Sequence, residues 1–299
     1  MTAIIIFKYL WSYFCCVLQS IFNKFLPICY LPFIVISCNN SNTSNIASKL
    51  VNNADTIFGL TAAMANIKSG KYIPLYGRDS QLVTINSFQM DILPVTNAHY
   101  LTFVKTNKRW RKSNIKKVFA DGNYLNHWKN DTTIGNEMNA NSAITNVTWF
   151  AAKAYCECQG KRIPTVDEWE YVAMANENIA DARKITSSNQ QILAWYEKPN
   201  TSKNPVGQSV KNYWSVYDLH GLIWEWTSDF SSIFLTDESK NDSSTNKKMF
   251  CGSGKFTKTD LMNYAAYMRY AFRESLKANY SLQNLGFRCV KDSMINNEK

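Results

Sequence analysis

Glycine and proline are scarce in this chain, 11 and 7 of 299 residues. With so few chain breakers, only two stretches read as low-complexity polar segments, Ser41–Ser48 and Asp237–Lys248. The first reads as a tether and the second as an exposed loop, and no second linker divides residues 57–293, which read as one domain. Internal repeats of the usual periods are absent, which excludes solenoid and propeller architectures. The three histidines, His99, His127 and His220, lie far apart without ligand spacing, so each reads as structural. P-loops, dinucleotide fingerprints and nucleophilic triads are also missing, which removes those enzyme classes. What is plentiful is apolar surface: 45% of the residues are hydrophobic and 14% aromatic, ample for a core and incompatible with global disorder.

The net charge is +10. Strong basicity suits nucleic acid or anionic membrane. Here the basic residues are scattered, and the densest cluster, Lys105–Lys117, is broken by Trp110 and Ser113. No nucleic-acid-binding motif accompanies it, so the charge reads as a solvated surface and nucleic acid is not an expected partner.

The eight cysteines split into two groups. Cys15, Cys16, Cys29 and Cys38 lie in the apolar N-terminus, and Cys156, Cys158, Cys251 and Cys289 in the body. The N-terminal 37 residues carry only Lys8 and Lys24 as charges, and Phe25–Ser37 is an apolar run. That run is short for a bilayer span and suits the apolar region of a signal peptide. It ends in Val35-Ile36-Ser37-Cys38, which resembles a bacterial lipobox and makes Cys38 the expected lipidation site. The alternative is an uncleaved anchor that also uses Tyr9–Phe22. Either way the body is exported, facing the periplasm or cell surface, where disulfides are allowed. The expected layout is a leader over 1–37, a tether over 38–56, the domain over 57–293 and a tail over 294–299.

Within the body the elements are short. Gln81–Met90 alternates in its first half and reads as a strand. Thr96 is a candidate cap for a helix through Tyr100, Leu101 and Val104. Trp149–Cys158 has helical spacing. Thr165 and Glu168 form a capping-box pattern at the start of a helix that runs through Trp169, Tyr171 and Met174. The physical reading is an α+β fold with much irregular chain.

Four segments then carry a family likeness in order: Phe88–Phe103 (FQMDILPVTNAHYLTF), Asn146–Met174 (NVTWFAAKAYCECQGKRIPTVDEWEYVAM), Asn204–Phe230 (NPVGQSVKNYWSVYDLHGLIWEWTSDF) and Asn284–Val290 (NLGFRCV). Together they resemble the formylglycine-generating-enzyme, or sulfatase-modifying-factor, family. The resemblance implies that family's loop-rich, C-type-lectin-like α+β fold. It implies a disulfide between Cys156 and Cys289. It places the family's second disulfide at Ala173 and Tyr270, where both halves are missing together. Cys158 and Cys251 are left over, as buried thiols, a second pair or a soft-metal site. Asp218, Gly221, Ile223 and Glu225 fall on the family's calcium loop, which implies Ca²⁺, with a loop held by packing of Trp224 and Trp226 as the alternative.

The catalytic positions do not match. The aerobic enzymes hold Cu(I) on two thiolates, and no cysteine occurs here between Cys251 and Cys289. Counting back from the closing motif puts those positions at Asp260 and Ala265, with Thr257 an alternative for the first. Copper at the usual site is therefore not expected. Candidate catalytic residues are Asp260, as a base or hard-metal ligand, and Arg269 and Arg273, which align with arginines lining the family's groove. The alternative for the arginines is to brace the fold on a buried carboxylate such as Glu170. Phe250–Ser253, Tyr264–Arg273 and Tyr124 to Trp128 resemble a subgroup of NirV type.

The resemblance leaves three functions: an accessory or maturation factor for another exported protein or peptide, an oxidoreductase of PvdO type modifying an exported peptide, or a silent lectin-like binding lipoprotein. The sequence decides neither the oligomeric state nor whether the chain is an enzyme.

Overall fold

The structure, a computed structural model, describes residues 63–75, 81–230 and 258–293, with side chains in the last stretch from residue 264. The leader, Cys38, the tether, Cys251, Thr257 and the tail lie outside the described residues, as does the polar loop 237–248. Among the described residues no helix is long and apolar enough to cross a membrane.

Seven short strands and five helices are described. Strands β1 (Met64–Ile67), β4 (Phe88–Asp91) and β7 (Val290–Asp292) form an antiparallel sheet in the order β1-β4-β7. Strands β2 (Gly70–Tyr72) and β3 (Val83–Ile85) pair antiparallel, and β5 (Trp224–Glu225) pairs parallel with β6 (Leu285–Gly286). The run 81–90 is thus two strands rather than one. Asn86 and Ser87 separate them, and the halves serve different sheets, β3 on β2 and β4 between β1 and β7.

The helices are α1 (Asn97–Thr106), α2 (Trp149–Cys158), α3 (Val166–Ala173), α4 (Thr186–Tyr196) and α5 (Lys258–Glu274). The first three start where their side chains satisfy free backbone N–H groups. Thr96 accepts from His99 N, and Thr148 accepts from Ala151 N. At α3 the capping box is complete: the Thr165 hydroxyl accepts from Glu168 N at 3.1 Å and the Glu168 carboxylate accepts from Thr165 N at 2.9 Å. Arg162 clamps the same carboxylate at 2.6 and 2.7 Å.

Two apolar clusters hold these elements. One is aromatic, with Tyr100, Phe103, Trp128, Tyr155 and Phe287 packed around the disulfide Cys156–Cys289, which joins positions 133 residues apart. The expected pairing of these two cysteines is present. The other gathers Phe88, Met90, Trp169, Val172 and Leu219 beneath the β1-β4-β7 sheet. Gly286 sits where the chain crosses close to Ile144, and a Cβ there would strike the Ile144 carbonyl.

Candidate functional site

The second cluster ends in a cleft. Its walls are the C-terminal end of α3 and the turn after it, the face of α4 that carries Ser188, Ile192 and Trp195, the loop 209–220, and Ala265, Arg269 and Tyr270 on α5. It contains about 970 Å³ of space, part of it open to solvent. The loop reaches α4 through Gly221, whose φ of +85° is a left-handed conformation and whose missing Cβ leaves room for Trp195. Any side chain at 221 would push α4 off this wall.

The floor is ionic. Glu170 on α3 is buried and receives Arg269 Nε at 2.9 Å, Arg269 Nη2 at 2.6 Å and Arg273 Nη1 at 2.7 Å. Residues 269 and 273 are one helical turn apart, so α5 presents both guanidiniums to one carboxylate. Burial pushes the Glu170 carboxyl upward, but Arg269 and then Arg273 outweigh it and hold it at about 2. Both arginines are spent in this way: they brace the fold through Glu170, the second of the two roles open to them from sequence. Arg269 Nη1, which Glu170 does not engage, donates to the Tyr196 hydroxyl at 3.3 Å. Arg273 lies over the ring of Trp169, 4.9 Å from its centre.

From Tyr196 the network continues into the cleft wall. Tyr196 Oη lies 3.1 Å from His220 Nδ1, and His220 Nε2 lies 2.9 Å from the Ala173 carbonyl. A carbonyl only accepts, so the proton is on Nε2 and Nδ1 accepts from the tyrosine. Burial pushes the His220 pKa down to about 4, with Arg269 acting in the same direction, so the ring is neutral at pH 7. Sequence reading missed Tyr196 and the cleft-lining residues of α4 altogether; this helix has no side-chain cap and starts from Ile185.

The other candidate residues fall as follows. Asp260 is in the first turn of α5, with its side chain outside the described residues. Ala265, the counted position of the second catalytic cysteine, is 2% exposed and lines the cleft. Ala173 and Tyr270, the positions of the absent second disulfide, line the same cleft. The partner suggested for Cys158, Cys251, lies outside the described residues. His99 meets the Thr96 hydroxyl at 2.7 Å, and His127 meets Asn146 at 3.1 Å.

In the loop expected to hold calcium, the two carboxylates are engaged by protein donors. Asp218 accepts from the backbone N–H groups of Gly207 and Ser209. Glu225 accepts from Arg288 Nε and Nη2 at 2.8 Å each and from Trp169 Nε1 at 2.8 Å. A fully buried guanidinium already neutralises Glu225. As folded, this donor set does not fit a divalent cation, and no role for one is derived. Among the described residues, no group of three or more His, Cys, Asp or Glu is placed to hold a metal ion. Trp224 stacks on Phe272 at 4.6 Å, and Trp226 donates to the Val147 carbonyl at 3.0 Å, so packing of both indoles holds the loop.

Comparison with known proteins agrees with the segments that carry the resemblance. Mouse formylglycine-generating enzyme is 26% identical over 257 residues, covering 71% of this chain and 68% of that protein. The bovine inactive C-alpha-formylglycine-generating enzyme 2 is 25% identical over 267 residues, covering 72% and 81%. Among solved structures, PvdO from Pseudomonas aeruginosa aligns with a TM-score of 0.44 at 17% identity, over 77% of this chain and 94% of that one. The family model of the Sulfatase-modifying factor enzyme 1-like domain matches residues 57–293. With that match spanning most of its length, the chain belongs to the sulfatase-modifying factor, or formylglycine-generating-enzyme-like, family.

Proposed function

We propose that this chain is an atypical family member that works by binding, as an accessory or maturation factor for another exported protein, and not as a copper–cysteine formylglycine synthase. One observation carries the reading: a buried alanine, Ala265, stands on the cleft wall at a counted thiolate position, and no cysteine occurs between Cys251 and Cys289. Cu(I) is a soft ion that is held by soft ligands, thiolates above all. Without them the family's oxidation has no site on this chain. The arginines of α5 support the same reading, because both are buried and paired with Glu170. Export and attachment through a lipid on Cys38 belong to this proposal, since an exported client requires an exported factor.

The test has two parts. Full-length protein loaded with Cu(I) and given a sulfatase-derived cysteine peptide is expected to yield no aldehyde by mass spectrometry. Deletion of the gene is expected to lower the activity of an exported metalloenzyme that co-purifies with the chain. Stoichiometric Cu(I) binding together with aldehyde formation would overturn the proposal.

A further inference from the structure

Nearly every charged group on the cleft wall already has a protein partner. Glu170 is saturated by Arg269 and Arg273. Arg183 gives Nε and Nη2 to Asp181 at 2.8 and 2.7 Å and Nη1 to the Ile73 carbonyl at 2.6 Å. Asp218 takes two backbone N–H groups, and His220 has both ring nitrogens bonded. The Asn212 amide is spent on Val172, Trp214 and Val216. Among the described lining residues the exception is Glu177, exposed at the edge.

Most of what remains to meet a ligand is apolar. Met174, Ile192, Trp195 and Leu219 line the interior, and Leu75 and Val210 line it while 36% and 64% exposed. Exposed apolar side chains of this size at the edge of a concave site mark a surface made to be covered. Arg269, the cation nearest the floor, is buried and holds Glu170 through Nε and Nη2, and turning it toward an anion would leave a buried carboxylate short of its counter-charge, which costs more than such a bond returns.

We infer that this cleft is a binding site for an uncharged, predominantly aromatic small molecule, and that it discriminates against the same molecule carrying a negative charge. The interior walls bury the ring. An anion that enters finds the cationic side chains of the lining, Arg183 and Arg269, already bonded to carboxylates, so it surrenders its hydration without a free counter-charge. This inference does not rest on the accessory reading. The aldehyde assay tests that reading, and a ligand titration tests this one.

Two probes share one skeleton and differ by a sulfonate: N-phenyl-1-naphthylamine, which is neutral, and 8-anilinonaphthalene-1-sulfonate. Titrated by fluorescence into the full chain, the neutral probe is expected to saturate and to bind about tenfold more tightly than the sulfonate. The comparison is stringent, because the net charge of +10 favours the sulfonate at every nonspecific site. Leu75→Glu and Val210→Glu, both at exposed positions, are expected to weaken the neutral probe about tenfold, whereas Val118→Glu, 69% exposed and away from the cleft lining, leaves it unchanged. Equal or tighter binding of the sulfonate overturns the inference. So does neutral-probe binding that all three variants leave untouched.

Discussion

Two buried carboxylates in this molecule each meet arginine, and they do different things. Glu225 and Arg288 form a sealed pair in which both side chains are fully buried. Arg288 also donates to the carbonyls of Asp91 and Tyr217, and Trp169 closes the remaining carboxylate position. One charge cancels one charge, and the pair ties β5 to the C-terminal strand region. Glu170 instead meets two guanidiniums, beside a cleft, and passes order outward through Arg269 to Tyr196 and His220. The first is a fastening inside the core. The second is a brace that fixes the wall of a cleft, and its second guanidinium, that of Arg273, lies over the face of Trp169. The same pair of residue types gives structure in one place and a shaped, polar-saturated surface in the other, and the number of partners and the access of solvent decide which.

The sharpest way to break this contrast is Arg288→Met, which leaves Glu225 buried without its counter-charge. The expected loss is about 3–5 kcal/mol in denaturant unfolding, enough to unfold a marginal domain. A loss below about 1 kcal/mol would mean that the pair fastens nothing. Glu170→Gln comes next, at about 3 kcal/mol, because two guanidiniums then face each other with only nearby cleft water to help. This variant is expected also to loosen α5 from α3, visible as faster amide exchange over residues 265–273. Equal exchange in the two proteins would remove the bracing role.

Acid separates the two sites further. The pKa of His220 is pushed down to about 4 from an ordinary 6.5, so the folded state binds fewer protons than the unfolded chain between those values. Its contribution is complete above pH 6.5 and is lost as the pH falls toward 4. For this half-buried ring the loss is about 2 kcal/mol, and His220→Gln is expected to flatten that part of the stability curve. His127, also pushed down to about 4 by burial, keeps the remaining slope. Glu170, held at about 2, contributes above its ordinary carboxyl range and fails only as the pH drops from about 4.5 toward 2. A curve with no loss between pH 6.5 and 4 would refute the neutral-histidine assignment. The smallest effect belongs to Tyr196→Phe, which removes the hydroxyl between Arg269 and His220 at a cost of about 1 kcal/mol and is measured by thermal unfolding.

Legibility followed the range of the forces involved. Helices α1 and α3 are legible because Thr96 and the Thr165–Glu168 box act within three residues of themselves, and α2 because its apolar and small residues recur at helical spacing. Helix α4 carries no cap, and the aromatic run of α5 reads as groove lining unless its partners are known. The strand through 81–90 was seen, but its division at Asn86-Ser87 was not, because only sheet partners outside the segment define the break. The disulfide came from family likeness, and the structure brings Cys156 and Cys289 together as expected. The calcium loop came from the same source, and there the local pattern was silent about Arg288 closing on Glu225 from 63 residues away.

By itself the sequence determined the family, the α+β composition, the capped helices and the lack of any cysteine between Cys251 and Cys289, because each is written in contiguous residues or in a bare absence. Tertiary structure alone decided that Arg269 and Arg273 share Glu170, that the Ala173 carbonyl sets the tautomer of His220, and that the cleft keeps an apolar wall whose arginines are already paired. Those outcomes depend on which donor reaches which acceptor across gaps of up to about a hundred residues. Burial makes each such pairing costly to leave unmade, and it is that cost, invisible along the chain, that selects one arrangement.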